Sequence, residues 1–485
     1  MANDTLYFYD LETSGLNARK ARIMQFAGQR TTLDLEPIGQ PDNILIKMTD
    51  DIVPDPRAIL VTGITPQQTQ ADGITEKAFC DYFTSTIATP HTTILGYNSL
   101  RFDNEFLRFM FYRNFYDAYE WSYANGRSVW DMLDVVRMTR ALRPDGIQWP
   151  FAADGTPTNS LEKLTSVNNI AHANAHDALA DVQATIAVAR IIKQKQPKLF
   201  SFLFKTRTKQ AVQDIVNAGK PFVYTTGRYD AAYHKTSVAI RIADHPVYGA
   251  GRALVYDLRH DPTEFMHLST PDLVDRLAYT KDTEAPARLP VKELTYNKCP
   301  AVAPLQVLTP EAASNISIDT ATVHRHLQQL QTDQTFIDRV RQAFEDMHEE
   351  RQTELVTNIV GVDTQLYDGF LNEADKKQCA MVRAANKDTI VDLHPSFYDE
   401  RLAPLLLLYK ARQFPGSLSE DEQKAWEAYR HTKLYAADTS ALTLPAYFSS
   451  IQSLAASASA HDKAILEDLW LWGESIMPED EAEDL

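Results

Sequence analysis

Leu6-Tyr7-Phe8-Tyr9-Asp10-Leu11-Glu12-Thr13 is the stretch that decides the fold. Four bulky apolar residues in a row, Leu6 to Tyr9, read as a strand buried on both faces. The strand ends on Asp10 and Glu12. Side chains two apart on a strand share a face. Two carboxylates on one face repel each other, and a cation between them removes the repulsion. Hard oxygen ligands of this kind suit Mg²⁺ or Mn²⁺. An Asp-x-Glu pair alone reads more readily as a solvated strand end than as a cation site, so the further acids of a site have to come from downstream.

Two downstream stretches supply them. Gly96-Tyr97-Asn98-Ser99-Leu100-Arg101-Phe102-Asp103 follows the strand-like run 92–96 and opens a helix over 105–112. Asp103 then stands near a helix N-terminus, where the dipole favours a carboxylate. His176-Asp177-Ala178-Leu179-Ala180-Asp181 opens an Ala-rich helix over 177–193. Asp181 would face an Ala-lined surface, a poor place for an unpartnered carboxylate. His176 is poised as a general base of near-neutral pKa. Asp177 is a candidate N-cap, and His172 is a rival base. Further strands are expected over 23–30 and 43–48, and helices over 65–86, N-capped by Thr65, and 130–142. Alternating strands and helices predict an α/β layer with a mixed sheet.

Beyond residue 193 the pattern changes. Six Lys and Arg residues over 193–209 interleave with Phe200, Phe202 and Phe204, either a solvated helix face or part of a binding surface. A boundary is placed near Pro197. Short β runs over 221–304 predict a small β-rich domain. Thr309-Pro310-Glu311 opens a helical stretch, and the chain from 351 reads as helical, with Ser419-Glu420-Asp421-Glu422 as a capping box. The acidic tail 478–485 is expected to fray.

The length of 485 residues suggests about three domains. With 44% apolar and 23% charged residues, the chain is an ordinary globular one. Cys80, Cys299 and Cys379 are far apart and form no metal-type pair, which suits reduced thiols. No signal peptide is legible at the N-terminus, and the longest apolar run, 405–408, is too short for a bilayer, so a soluble cytoplasmic protein is expected. A formal net charge of −17 argues against a polybasic coat, though not against a local basic groove.

Taken in order, the three acidic stretches resemble the exonuclease core of four acids and a histidine, the DEDDh type. The resemblance extends to Ile64-Thr65-Pro66-Gln67, to 94–98, to Phe111-Tyr112-Arg113-Asn114-Phe115-Tyr116, and to Ala141-Leu142-Arg143-Pro144. It continues through 174–178, Asn297-Lys298-Cys299-Pro300 and Gln365-Leu366-Tyr367. All of these are similar to the bacterial exonuclease I family. The resemblance implies a ribonuclease-H-like exonuclease domain over 1–196. It also implies a small Src-homology-3-like β-barrel domain with a helical extension over 197–350, and a helical domain over 351–485. The implied activity is processive 3′→5′ hydrolysis of single-stranded DNA to 5′-mononucleotides, in DNA repair and recombination.

By the same resemblance, Asp10, Glu12, Asp103 and Asp181 would hold two Mg²⁺ ions, with Mn²⁺ as a substitute, and His176 would accept a proton from water. Glu12 and Thr13 would meet the terminal nucleotide. Arg108, Tyr119, Tyr123 and Arg137 are the first candidates for holding the strand by stacking and phosphate contact. Lys298 and Tyr367 would add contacts from the later regions. Arg143 and the surroundings of Phe202 would take the acidic, Phe-ended tail of single-stranded-DNA-binding protein. A monomer is expected. Three positions depart from the family pattern: Leu11 and Ser14 stand where aromatics are common, and Ser160 where an arginine near the substrate is common. The core motifs do not separate DNA from RNA as substrate, since the cations act on phosphate in both. The extra domains favour DNA. A catalytically idle end-binding module is disfavoured by the full set of acids.

Overall fold

The computed structural model describes residues 4–172, 177–278, 282, 285–355 (backbone alone for 351–355), 361–435 and 442–478. The chain forms two compact units: Met1–Ser128 with Ala173–Gln183 and Asn358–Leu485, and Val129–His172 with Ala184–Thr357.

The first unit is built on a mixed sheet. Its strands are β1 (Thr5–Thr13), β2 (Ile23–Thr31), β3 (Asp42–Leu45) and β4 (Thr92–Gly96). The order is β3-β2-β1-β4, and it continues at Ser128, the first residue of β5 (Ser128–Asp131). β1 runs antiparallel to β2 and parallel to β4, with Phe8 opposite both Gln29 and Leu95. Leu6 to Tyr9 are all buried, as a central strand requires. Two expectations are corrected in detail. The expected helix 65–86 breaks at Gly73 into Pro66–Asp72 and Glu76–Tyr82. Thr75 starts the second piece as a new N-cap, its side chain accepting from the Ala78 amide. Trp130 lies in β5, and the helix begins only at Met132, capped by the Asp131 side chain.

C-terminal helices complete this unit. Leu444, Tyr447, Leu469 and Trp472 form one core with Met24, Met48, Ile52 and Ile59. Val382, Leu402, Leu405 and Tyr409 form another with Phe109, Tyr112 and Phe115. Ser419 and Glu422 make the expected reciprocal cap, at 2.9 and 3.2 Å. A buried ion network joins the same segments. Arg412 donates to Asp51 at 2.6 Å and to Asp363 at 2.8 Å. Lys433 meets Asp51 at 2.6 Å, and Arg22 meets Asp363 at 3.0 Å. Burial alone would raise the Asp51 and Asp363 carboxyls, but Arg412, Lys433 and Arg22 outweigh it and hold both below the usual range.

The second unit carries a five-stranded antiparallel sheet of order β10-β6-β7-β8-β9. Its strands are β6 (Phe222–Thr225), β7 (Thr236–His245), β8 (Gly249–Asp257), β9 (Val291–Thr295) and β10 (Ala301–Pro304). Phe222, Tyr224, Ala239, Val255, Leu294 and Val302 form its core with Val212 and Val216. The 193–209 stretch is helical on both sides of Gln196, and Phe200 and Phe204 pack edge-on against Trp130 at 5.3 and 5.2 Å. Most of the acidic tail, 479–485, lies outside the described residues. Among those described, no helix is long and apolar enough to cross a membrane.

The ion network predicts a specific loss. Asp363→Asn strips a partner from Arg412 and Arg22 while both stay buried, a change that typically costs about 3–5 kcal/mol. A depressed carboxylate stabilises above its unfolded pKa, and the effect fades as pH falls through the folded value. The wild-type advantage in urea unfolding should therefore be full above about pH 5 and shrink below about pH 4. A constant difference down to about pH 2 would show that Asp363 acts through packing instead.

Candidate active site

Each acid arrives on an element whose local sequence explains its position. Asp10 and Glu12 stand opposite Ala27 and Gln25 of β2, and the register shifts just after Glu12, an irregularity that ends regular pairing. β4 stops at Gly96, where a Cβ would lie 2.6 Å from the Tyr9 carbonyl oxygen, so only glycine fits against β1. Asn98 then adopts φ +66°, a left-handed turn that asparagine tolerates. The Asn104 amide donates to the Ser99 carbonyl at 2.8 Å. Asp103 is thereby the buried first residue of the helix Asp103–Arg113. Asp181 lies in the first turn of Ala178–Lys195, and the Asp177 side chain accepts from the Ala180 amide at 3.0 Å, the cap expected of it.

Oxygens of Asp10, Glu12 and Asp181 lie within 4.8 Å of one another. Asp103 falls outside this trio, but its charge acts on it. Burial, then the charges of Asp103, Asp181 and Glu12, raise the Asp10 carboxyl well above its ordinary range. Burial, then Asp181, Asp103 and Asp177, push Glu12 up to about 8. Buried carboxylates that also face one another have their protons favoured, and a cation bound between them would take the place of those protons. The donor set is all oxygen, which fits a hard divalent ion. His176 lies outside the described residues. Its neighbour Asp177 is described, and the effect of its charge on Glu12 places position 177 at the edge of the site. Thr13 is buried, its hydroxyl donating to the Gly15 carbonyl at 2.9 Å.

The same unit holds several of the expected strand contacts, and Arg108 on the helix Asp103–Arg113 meets two of them. Arg108 pairs with Glu105 at 2.6 Å and lies 5.5 Å from the Tyr119 ring centre. The Tyr367 hydroxyl donates to the other oxygen of Glu105. Arg19 lies over the rings of Phe109 and Tyr367, at 5.7 and 5.9 Å. Phe370, 89% exposed, flanks Tyr119 at 6.2 Å. Tyr123 is 63% exposed, whereas Trp121 is core, packed on Phe83. Of the residues that sequence reasoning missed, Glu105 was legible as the i,i+3 partner of Arg108. Nothing local marked Arg19 or Phe370.

The remaining candidates lie in the second unit. Arg137 pairs with Asp134 at 2.7 Å. Ser160 is the N-cap residue of Leu161–Val167, yet its side chain makes no capping bond. Lys298 is exposed in the turn between β9 and β10. Arg143 donates to the carbonyls of Leu142 at 2.5 Å and Val307 at 2.8 Å. Phe202 lines a shallow surface pocket with Pro197, Lys198, Ser201 and Lys205.

Comparison with known proteins places these features in a family. Three family profiles match in succession: Exonuclease over residues 7–189, Exonuclease I SH3-like domain over 207–346 and Exonuclease I C-terminal domain over 360–476. The exodeoxyribonuclease I of Haemophilus influenzae is 40% identical, covering 90% of this chain and 92% of that protein. That of Escherichia coli K12 is 38% identical, covering 98% of each. A moderately thermophilic exonuclease I from Methylocaldum szegediense superimposes with a TM-score of 0.91 at 39% identity, over 98% and 99% of the two chains. The zinc-bound form of the E. coli exonuclease I complex with single-stranded DNA gives 0.90 at 37%, and a structure of SSB/exonuclease I with an inhibitor gives 0.88 at 36%; each covers 98% of this chain and 100% of the other. The fold is thus an exonuclease domain of ribonuclease-H-like type, an SH3-like domain and a C-terminal helical domain. With relatives of this identity matching it over nearly its full length, the chain belongs to the exonuclease I family of exodeoxyribonucleases.

Proposed function

We propose that this chain removes 5′-mononucleotides processively from the 3′ end of single-stranded DNA, as a monomer in the cytoplasm, in DNA repair and recombination. The observation that carries the proposal is the trio Asp10, Glu12 and Asp181 with Asp103 acting on it electrostatically. These four acids would hold two Mg²⁺ ions, or Mn²⁺ in their place. Bound there, the ions supply charge neutralisation and water activation at the scissile phosphate. The chain's own groups do the rest. His176 takes the proton from water, and Glu12 and Thr13 fix the terminal nucleotide. Arg108, Tyr119, Tyr123 and Tyr367 offer rings for base stacking and a guanidinium for phosphate. Arg137, Ser160 and Lys298 serve the strand from the second unit. We place the domain limits at 1–196, 197–350 and 351–485.

The acidic tail of single-stranded-DNA-binding protein is the proposed protein partner. The pocket around Phe202 has an apolar ring between Lys198 and Lys205, which suits a peptide both acidic and aromatic. Arg143 would supply a further cation to the same peptide.

The proposal is tested with 5′-labelled single-stranded DNA, duplex DNA and RNA of one sequence, in Mg²⁺ and in chelator. Only single-stranded DNA should be consumed, and chelator or Asp10→Ala should abolish the loss. Faster loss of RNA would overturn the choice of substrate, and activity surviving in chelator would overturn the role of the cations.

The base has its own test. His176→Ala should lower single-turnover hydrolysis by on the order of 10²–10⁴-fold while strand affinity is kept. A wild-type rate would remove His176 from the role.

A further inference from the structure

Arg140 is an arginine with no counter-ion among the described residues. It projects from the helix Met132–Leu142 and is only 2% exposed. Its Nη1 donates to the Thr158 carbonyl at 2.6 Å and lies 3.4 Å from Asn159 Oδ1. Its Nη2 is buried and has no hydrogen-bond partner. The guanidinium lies 5.7 Å from the Trp149 ring centre and 4.9 Å from that of Phe151. No carboxylate pairs with it among the described residues. Burial, unopposed by any negative charge, pushes it down to about 10.

Buried cations are normally paired, and leaving one donor unbonded costs about 1–3 kcal/mol. Arg140 has neither a carboxylate among the described residues nor a bond at Nη2, so it can take an anion without giving up an ion pair. Its surroundings are also cationic. Arg137 lies three residues earlier on the same helix, and its Nε is buried and unbonded. Burial, then the charge of Arg140, lowers His234, and burial, then the charge of Arg137, lowers the neighbouring Lys235.

The segment that Arg140 grips ends at Ser160. That is the position where the family pattern has an arginine near the substrate and this chain has a hydroxyl. We infer that Arg140 has taken over that contact: its guanidinium, reaching the Thr158–Ser160 segment from the helix Met132–Leu142, binds a backbone phosphate of the single strand. The inference rests on the function proposed above. Phe151 forms the cover over the guanidinium. It is 57% exposed, so little packing holds its ring in place against an entering phosphate. It stands at the base of a short hairpin, bridged to Pro157 and closed by the Ala152–Thr156 bond of 2.8 Å.

Counting phosphates tests this. The full chain is titrated in chelator with a fluorescein-labelled oligothymidylate across about 50–200 mM salt, and log K is plotted against log salt. Arg140→Gln keeps a donor for Thr158 but removes the charge, and it should flatten the slope by about 0.7, one phosphate of a single strand. Ser160→Arg should leave the wild-type slope where it is, because that phosphate is already neutralised. The same change in the Arg140→Gln background should restore the slope. An unchanged slope in Arg140→Gln, or a slope steeper by about 0.7 in Ser160→Arg alone, overturns the inference. The Ser160→Arg comparison decides the matter even if Arg140→Gln does not fold. Failure of the wild-type chain to bind the oligothymidylate would instead overturn the proposed function itself.

Discussion

Mutual repulsion among Asp10, Glu12, Asp103 and Asp181 is the constraint on which the first unit depends. Four carboxylates do not approach one another unless the backbone forces them to, and the fold is arranged to force them. β1 is the central strand, buried along its apolar length, so its end is rigid where Asp10 and Glu12 project. Gly96 lets β4 close against Tyr9, which sets where the next helix starts and hence where Asp103 lies. Asp181 comes from an Ala-rich helix whose N-terminal dipole tolerates negative charge. Burial, and then the charges of the neighbouring acids, raise the carboxyls of Asp10 and Glu12. A divalent cation turns that repulsion into attraction, so the stress in the free site becomes binding energy in the loaded one.

Much of this was legible before any coordinates. The apolar run 6–9, the Asp-x-Glu pair and the Gly96–Asp103 stretch each carry a local signal, and all three stand where that signal placed them. Other features were set by contacts that no window of sequence contains. The helix expected over 65–86 breaks at Gly73 because Thr75 offers a new cap, a competition between two good starts. Trp130 reads as helical from its neighbours but is held in a strand. Arg19 and Phe370 come from opposite ends of the chain to meet aromatic rings around the helix Asp103–Arg113. Arg140 is indistinguishable in sequence from any helix-borne arginine, and only its burial without a carboxylate among the described residues sets it apart.

The net charge of −17 is compatible with a polyanionic substrate once charge is located. Part of the acid excess is the cation site itself. Other acids, Asp51, Asp363 and Glu76, are internal and already matched by arginine and lysine. What a nucleic acid meets is local field, because charges more than a Debye length away are largely screened at ordinary ionic strength.

The buried ion network has a consequence in the order of synthesis. Asp51 and its partner Arg412 are 361 residues apart in the chain. At about 5–20 residues per second, the ribosome delivers Arg412 on the order of 20–70 s after Asp51. Until then Asp51, Arg22 and the apolar patch of Met24, Met48 and Ile59 lack the helices that cover them. The nuclease sheet therefore keeps an uncovered apolar patch and an unmatched buried acid until late in synthesis.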